Sequence, residues 1–153
     1  MKKPDWKQQE DDMVAAIGGR GTKASGAGWY DKGDGKHPVS GSFPLLWECK
    51  CTSSSSFTVS ASVWFGLEKH AISRIPVLFV RFQGRKDIAV VSVSFASTLG
   101  VSPQSLGHLQ TVYDDSILPL SLVVPTPLGL GKSLVAIPFD VFLRSYEKLA
   151  SNG

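Results

Sequence analysis

The chain is poor in cysteine, in long apolar runs and in charge of either sign. Cys49 and Cys51 are the only cysteines among 153 residues. They stand two positions apart in a stretch that reads as a strand, where Cα atoms lie about 6.5–7 Å apart and a disulfide is hard to close. A C-x-C without a second Cys or His pair at ligand spacing is also a weak zinc signal, so both are expected to be reduced thiols. No stretch approaches the roughly 18 apolar residues of a membrane span, and the opening MKKPDWKQQEDDM has no apolar signal core behind its lysines. This predicts a cytoplasmic protein, in the host cell if the chain is viral, with no membrane partner.

Charged residues make up 19% of the chain, with a formal net charge of +3, which permits an anionic partner without demanding one. His37, His70 and His108 are scattered, and none stands at nucleophile spacing from a Cys or Asp, which argues against a catalytic triad. The segment PLGLGKS lacks the spacing of a phosphate-binding loop, so no nucleotide cofactor is expected.

What is present fits one domain over residues 1–153, with 42% apolar residues to fill its core. DWKQQEDDMVAAIGG has apolar residues at near-helical spacing and a glycine pair to stop it. RGTKASGAGWYDKGDGKHPVSGS, rich in Gly, Ser and Lys, reads as loop with short irregular strand. FPLLWECKC reads as a strand, and TSSSSFTVSASVWFGLEKHAISR as a helix whose leading serines cap it. IPVLFVRFQ follows as a strand, so strand, helix, strand predicts a parallel pair joined by a crossover. KDIAVVSVSFAS reads as a further strand, residues 97–131 show no clear period, and KSLVAIPFDVFLRSYEKLA predicts a strand to Pro138 and then an amphipathic helix. Trp47, Trp64 and Phe65 read as core.

Alternation in the FPLLWECKC strand puts Leu46, Glu48 and Lys50 on one face and Leu45, Trp47, Cys49 and Cys51 on the other. A carboxylate taken out of water costs several kcal/mol unless paired, so this face is either solvated, with a weak Glu–Lys pair, or built for a metal or counter-ion. Asp34 lies across a turn-rich connection, where antiparallel pairing would bring its carboxylate beside Glu48. Two carboxylates from neighbouring strands are hard oxygen donors of the kind magnesium takes, and an adjacent lysine can orient water or offset phosphate charge.

Asp34 followed by Glu48-Cys49-Lys50 resembles the signature of the PD-(D/E)XK nuclease superfamily, with Gly33 where the leading proline usually stands. GGRGTKASGAGWYDKGD resembles a segment of Holliday junction resolvases of the archaeal and phage type, and the likeness continues through ECKCTSSSSFTVSASVWFGLEKHAISRIPVLFVRF. It covers residues 8–82, leaving 85–153 as a C-terminal extension. The resemblance implies an α/β, restriction-endonuclease-like core with a central mixed β-sheet flanked by helices. It implies Mg2+ as cofactor, with Mn2+ substituting, held by Asp34, Glu48 and the main-chain carbonyl of Cys49. Lys50 would be the catalytic lysine, Glu10 would hold a metal-bound water or second metal, and Ser25 would donate near the scissile phosphate. Because a helix turns about 100° per residue, only one of Glu10, Asp11 and Asp12 can face the site, and Glu10 is the choice taken. Arg20, Lys23, Ser25, Lys32 and Lys36 would contact DNA backbone. The expected activity is symmetric phosphodiester hydrolysis in branched DNA by a homodimer. Another nuclease of the superfamily, acting on duplex DNA in restriction or repair, and a non-catalytic DNA-binding module stand as alternatives.

Overall fold

The computed structural model describes residues 5–18, 20–21, 35–37, 43–83, 86–106, 110–125 and 131–152. In chain order these form α1 (Asp5–Ile17), β1 (Arg20–Gly21), β2 (Gly35–Lys36), β3 (Leu45–Thr52), β4 (Ser56–Thr58), α2 (Ala61–His70) and β5 (Ile75–Phe82). There follow β6 (Asp87–Ser92), α3 (Val93–Leu99), β7 (Ser105–Leu106), β8 (Thr111–Tyr113), β9 (Leu120–Val124), β10 (Lys132–Pro138) and α4 (Phe139–Asn152). The architecture is α/β, with a mixed sheet in the strand order β1-β2-β3-β5-β6-β10-β9-β7 and helices on both faces. As the strand–helix–strand pattern predicts, β3 and β5 run parallel, from Leu45 opposite Ile75 to Thr52 opposite Phe82. The β1–β2 and β2–β3 pairs on one side, and β5–β6, β6–β10 and β10–β9 on the other, are antiparallel.

Strand alternation divides the core in two. On one face Leu45, Trp47, Val77, Phe79, Ala89, Val91, Val135 and Ile137 pack beneath Met13 of α1, Phe95 of α3, and Phe142 and Tyr146 of α4. On the other, Leu46, Leu78, Val80, Val90, Leu134 and Ala136 pack beneath Trp64 and Leu67 of α2. Val112 joins this second cluster, because β8 pairs with β4 as a separate two-stranded ribbon. The first cluster is organised by aromatic rings. Phe79 meets Trp47, Phe139 and Phe142 edge to face at centroid separations of 6.5, 5.6 and 5.6 Å, and Phe142 stacks on Tyr146 at 5.8 Å. Such arrangements follow the ring quadrupole and add roughly 0.5–1.5 kcal/mol per pair beyond burial.

Three expectations are corrected. The serines at 53–56 do not cap α2. They turn the chain into β4, and the cap is Ser60, whose hydroxyl accepts from the Val63 N–H at 3.2 Å. The strand expected over KDIAVVSVSFAS stops at Ser92. That residue caps α3 by accepting from the Phe95 N–H at 3.1 Å, and Gly100 closes the helix at φ 78°. Phe65 is only partly buried, packed at the margin of the α2-side core. Within residues 97–131, β7, β8 and β9 are each too short to show a period, and β8 takes its partner β4 from some fifty positions upstream.

Arg81 ties α1 to the sheet. Its guanidinium donates to both carboxylate oxygens of Asp87, at 2.7 and 2.8 Å, and to Oδ2 of Asp12 at 2.8 Å. The Asp87 hydrogen bonds, acting against partial burial, push Arg81 further towards its charged form. For Asp12, burial alone raises the pKa, but hydrogen bonds from Gln8 and Arg81 and the Arg81 charge outweigh it and hold the carboxyl below its ordinary 3.8. A carboxyl depressed in the folded state stabilises the fold above its unfolded value, and that contribution disappears as pH falls through the lower folded value. We therefore expect Asp12→Asn to melt below wild type at neutral pH, with the gap closing as pH falls below the ordinary 3.8 of an aspartate. Thermal melts across pH measure this, and a pH-independent gap would dissociate the stabilisation from ionisation of Asp12.

Candidate functional site

The core thins along β3. Leu45, Leu46 and Trp47 are fully buried, whereas the residues from Glu48 to Thr52 are only partly so. Glu48 and Lys50 share the α2 face with Leu46, and Lys50 Nζ stands 3.8 Å from Glu48 Oε1. Their side chains are 30% and 38% exposed respectively. An ion pair so long and so wet is worth roughly 0–1 kcal/mol. The Glu48–Lys50 pair by itself therefore adds little to stability.

β2 lies antiparallel beside β3, with Gly35 opposite Trp47 and Lys36 opposite Leu46. Gly35 is buried flat against the Trp47 indole, where an added Cβ would penetrate the ring's van der Waals shell. The glycine is what allows the strand this close. Lys36, as cross-strand partner of Leu46, belongs to the same face as Glu48 and Lys50, and Arg20 stands opposite Lys36 in the next strand. The structure thus brings Lys36, Glu48 and Lys50 onto one face at one sheet edge. Asp34, Ser25, Lys23 and Lys32 lie outside the described residues.

Helix α1 packs over the opposite face, beside β3. Gln9 is wholly buried and donates from Nε2 to the Phe79 carbonyl at 3.2 Å. Asp11 pairs with Lys7 at 3.4 Å, one helical turn back. Asp12 turns towards Arg81 on β5. Residues 10 and 12 are about 200° apart on a helix, so Glu10 occupies the flank turned from β5, on the side of β1 and β2. Glu10 is half-buried there. Cys49 and Cys51 are partly buried, and Cys49 packs against the α1-side core. Among the described residues, no three His, Cys, Asp or Glu side chains form a metal-binding group. Glu48 is the hard oxygen donor that the described part of the site supplies from β3, and its partial exposure suits a magnesium ion that keeps several waters. No described helix is long and apolar enough to cross a membrane.

His37, one of the scattered histidines that form no triad, is a junction in the structure. Its Nε2–H donates to the carbonyl of Ile17 at 2.7 Å, and its Nδ1 accepts the Leu45 N–H at 3.1 Å. Its own N–H reaches the Leu45 carbonyl at 2.9 Å, and Arg74 Nε donates to its carbonyl at 2.7 Å. The ring stacks on Tyr146 at 5.9 Å and meets Trp47 edge to face at 5.4 Å. Tyr146 donates its hydroxyl to the Phe43 carbonyl at 2.8 Å, and burial pushes its pKa up to about 12. The only local sequence signal for His37 is its place three residues after Asp34. No protein-family profile, characterised protein or solved structure matches this chain.

Two classes of substitution should separate here. Gly35→Ala is expected to destabilise by about 1–3 kcal/mol through overpacking against Trp47. Glu48→Gln and Lys50→Met are expected to stay within about 1 kcal/mol of wild type. Urea unfolding at equilibrium measures both, and a large loss in Glu48→Gln would make the pair structural.

Proposed function

We propose that the chain is a magnesium-dependent DNA endonuclease that hydrolyses phosphodiester bonds in branched DNA, of the Holliday junction resolvase type within the PD-(D/E)XK nucleases. The observation that carries this reading is the register of β2 on β3. Gly35 stands opposite Trp47 and Lys36 opposite Leu46, which puts Lys36 on the same face as Glu48 and Lys50. Asp34, Glu48 and the Cys49 main-chain carbonyl would hold Mg2+. When bound, the ion would supply positive charge at the non-bridging phosphate oxygen and favour ionisation of a water.

The chain's own residues supply the remaining parts. Lys50, in reach of Glu48, orients the attacking water and offsets charge gathering on the phosphate. Water adds to phosphorus, the bond to the 3′ oxygen breaks, and the products are a 5′-phosphate and a 3′-hydroxyl. Glu10 stands on α1, over the face of the sheet opposite Glu48 and Lys50, so any part it took in holding a further water or second ion would have to be played at the sheet edge. Lys36 and Arg20, opposite each other in the ladder, and Lys23, Lys32 and Ser25 would take the DNA backbone, whose recognition rests on phosphate position more than base identity. Symmetric incision of a four-way junction calls for a two-fold dimer. Such a protein would act in the cytoplasm and need no nucleotide.

The test is a labelled four-way junction offered beside linear duplex, flap and mismatch substrates, with Mg2+, Ca2+ or EDTA. Junction cleavage is expected with Mg2+ and binding without turnover with Ca2+, whose larger, looser coordination shell misplaces the water. Glu48→Gln, Asp34→Asn and Lys50→Ala should each lower the cleavage rate by about a hundredfold or more while junction binding persists. A fixed-sequence preference for linear duplex would redirect the reading to a restriction-type nuclease. Full cleavage by Glu48→Gln would remove the metal site altogether.

A further inference from the structure

We infer that His37 is a proton-operated switch where α1, β2 and β3 meet: a second proton on its imidazole moves Nδ1 from the Leu45 N–H to the Tyr146 hydroxyl and releases the start of β3 from the ring. The inference goes beyond the nuclease reading and does not depend on it. Two groups of opposite character meet Nδ1. The Leu45 N–H, at 3.1 Å, can only donate, so it takes the lone pair of a bare nitrogen. The Tyr146 oxygen stands 3.2 Å from the same nitrogen, and its hydrogen goes to the Phe43 carbonyl at 2.8 Å, so it turns a lone pair towards Nδ1. Burial keeps that hydrogen on Tyr146, whose pKa is pushed up to about 12. Two lone pairs so placed lack only a proton between them. Once solvent supplies it, Nδ1–H donates to Tyr146 and no lone pair is left for Leu45.

The remaining contacts decide how far the change spreads. Nε2 carries hydrogen in both states, so its bond to the Ile17 carbonyl persists. Ile17 is the last residue of α1, at the negative pole of the helix, where a cationic ring is favoured. The proton therefore keeps α1 on the ring while it detaches Leu45. The titratable and charged groups that meet His37 are Tyr146 from α4 and Arg74 from the turn before β5, and Arg74 donates to the His37 carbonyl, away from the ring. Lys36, its neighbour in β2, points to the other face of the sheet by alternation. α1 and β3 meet it through the Ile17 carbonyl, the Leu45 N–H and the Trp47 ring. The Trp47 and Tyr146 rings hold the imidazole at 5.4 and 5.9 Å, so it answers a proton by exchanging partners in place. β2 is two residues long, and the bond lost is a large share of what fixes its end against β3. The His37 N–H keeps the Leu45 carbonyl, so the strands loosen there without parting.

The test is NMR of the wild-type chain labelled with 15N at histidine, joined to amide hydrogen exchange, between about pH 8 and pH 5, the span in which histidine ordinarily changes charge. At the upper end the ring is expected to carry hydrogen on Nε2 alone, and at the lower end on both nitrogens. Over the same span the protection of the Leu45 amide should fall by about tenfold, the order expected for one lost hydrogen bond, once the intrinsic pH dependence of exchange is removed. Protection over residues 14–18 should not fall. His37→Asn keeps a side-chain acceptor that takes no proton, so its Leu45 protection should stay level with pH. Tyr146→Phe keeps the stacked ring and removes the acceptor for the second proton, so acid should lower its melting temperature further than it lowers that of wild type. Level Leu45 protection in wild type while the ring gains its second proton would overturn the switch, as would a ring still singly protonated at pH 5. Equal acid-dependent losses in wild type and Tyr146→Phe would overturn it too, since the proton would then owe nothing to Tyr146. Should either variant fail to fold, the wild-type measurement decides alone.

Discussion

The site depends on the contact between Gly35 and the Trp47 indole. β2 is only two residues long, and it lies against β3 because position 35 lacks the atom that would strike the ring. Trp47 cannot move aside. It is fully buried, edge to face with Phe79 on one side and His37 on the other. A tight spot in the core thus fixes where the strand bearing Lys36 runs.

The two faces of the sheet treat charge differently. On the α1 side, Arg81 is answered by the carboxylates of Asp12 and Asp87 with short, well-directed bonds, and this network fastens a helix to the sheet. On the α2 side, Glu48 and Lys50 meet at 3.8 Å with a third of each side chain in water. Charge-assisted bonds of the first kind are strong, whereas a wet pair of the second contributes little. The two sets thus differ in how firmly they tie neighbouring elements together.

Much of the fold was legible because period and punctuation agreed. The glycine after α1, the apolar spacing in α2, the β-branched run of β5 and the Pro138 boundary before α4 each point to one outcome. The central mixed sheet with flanking helices follows from these. The sequence also marks the shared face of Glu48 and Lys50, since alternation alone decides it. What it concealed is set by distant partners. β4 and β8 are three residues each and exist through pairing across some fifty positions, and α3 hides in a strand-like alternation that Ser92 interrupts. The roles of His37 and Arg81 were equally hidden, because a lone polar residue acquires meaning only from the backbone groups that surround it.

The ring contacts close a circuit: Phe79 touches Trp47, Trp47 touches His37, His37 touches Tyr146, Tyr146 touches Phe142, and Phe142 returns to Phe79. Tyr146 comes 109 positions after His37. A ribosome delivering the chain from its amino end releases the segments with Glu10, Glu48 and Lys50 well before the residue that completes this circuit. Nascent protein would therefore carry the chemical groups in an unfastened frame for several seconds at about 5–20 residues per second, and competence would arrive abruptly with α4. For a chain proposed to cut DNA, that closure would hold back activity until α4 has been made.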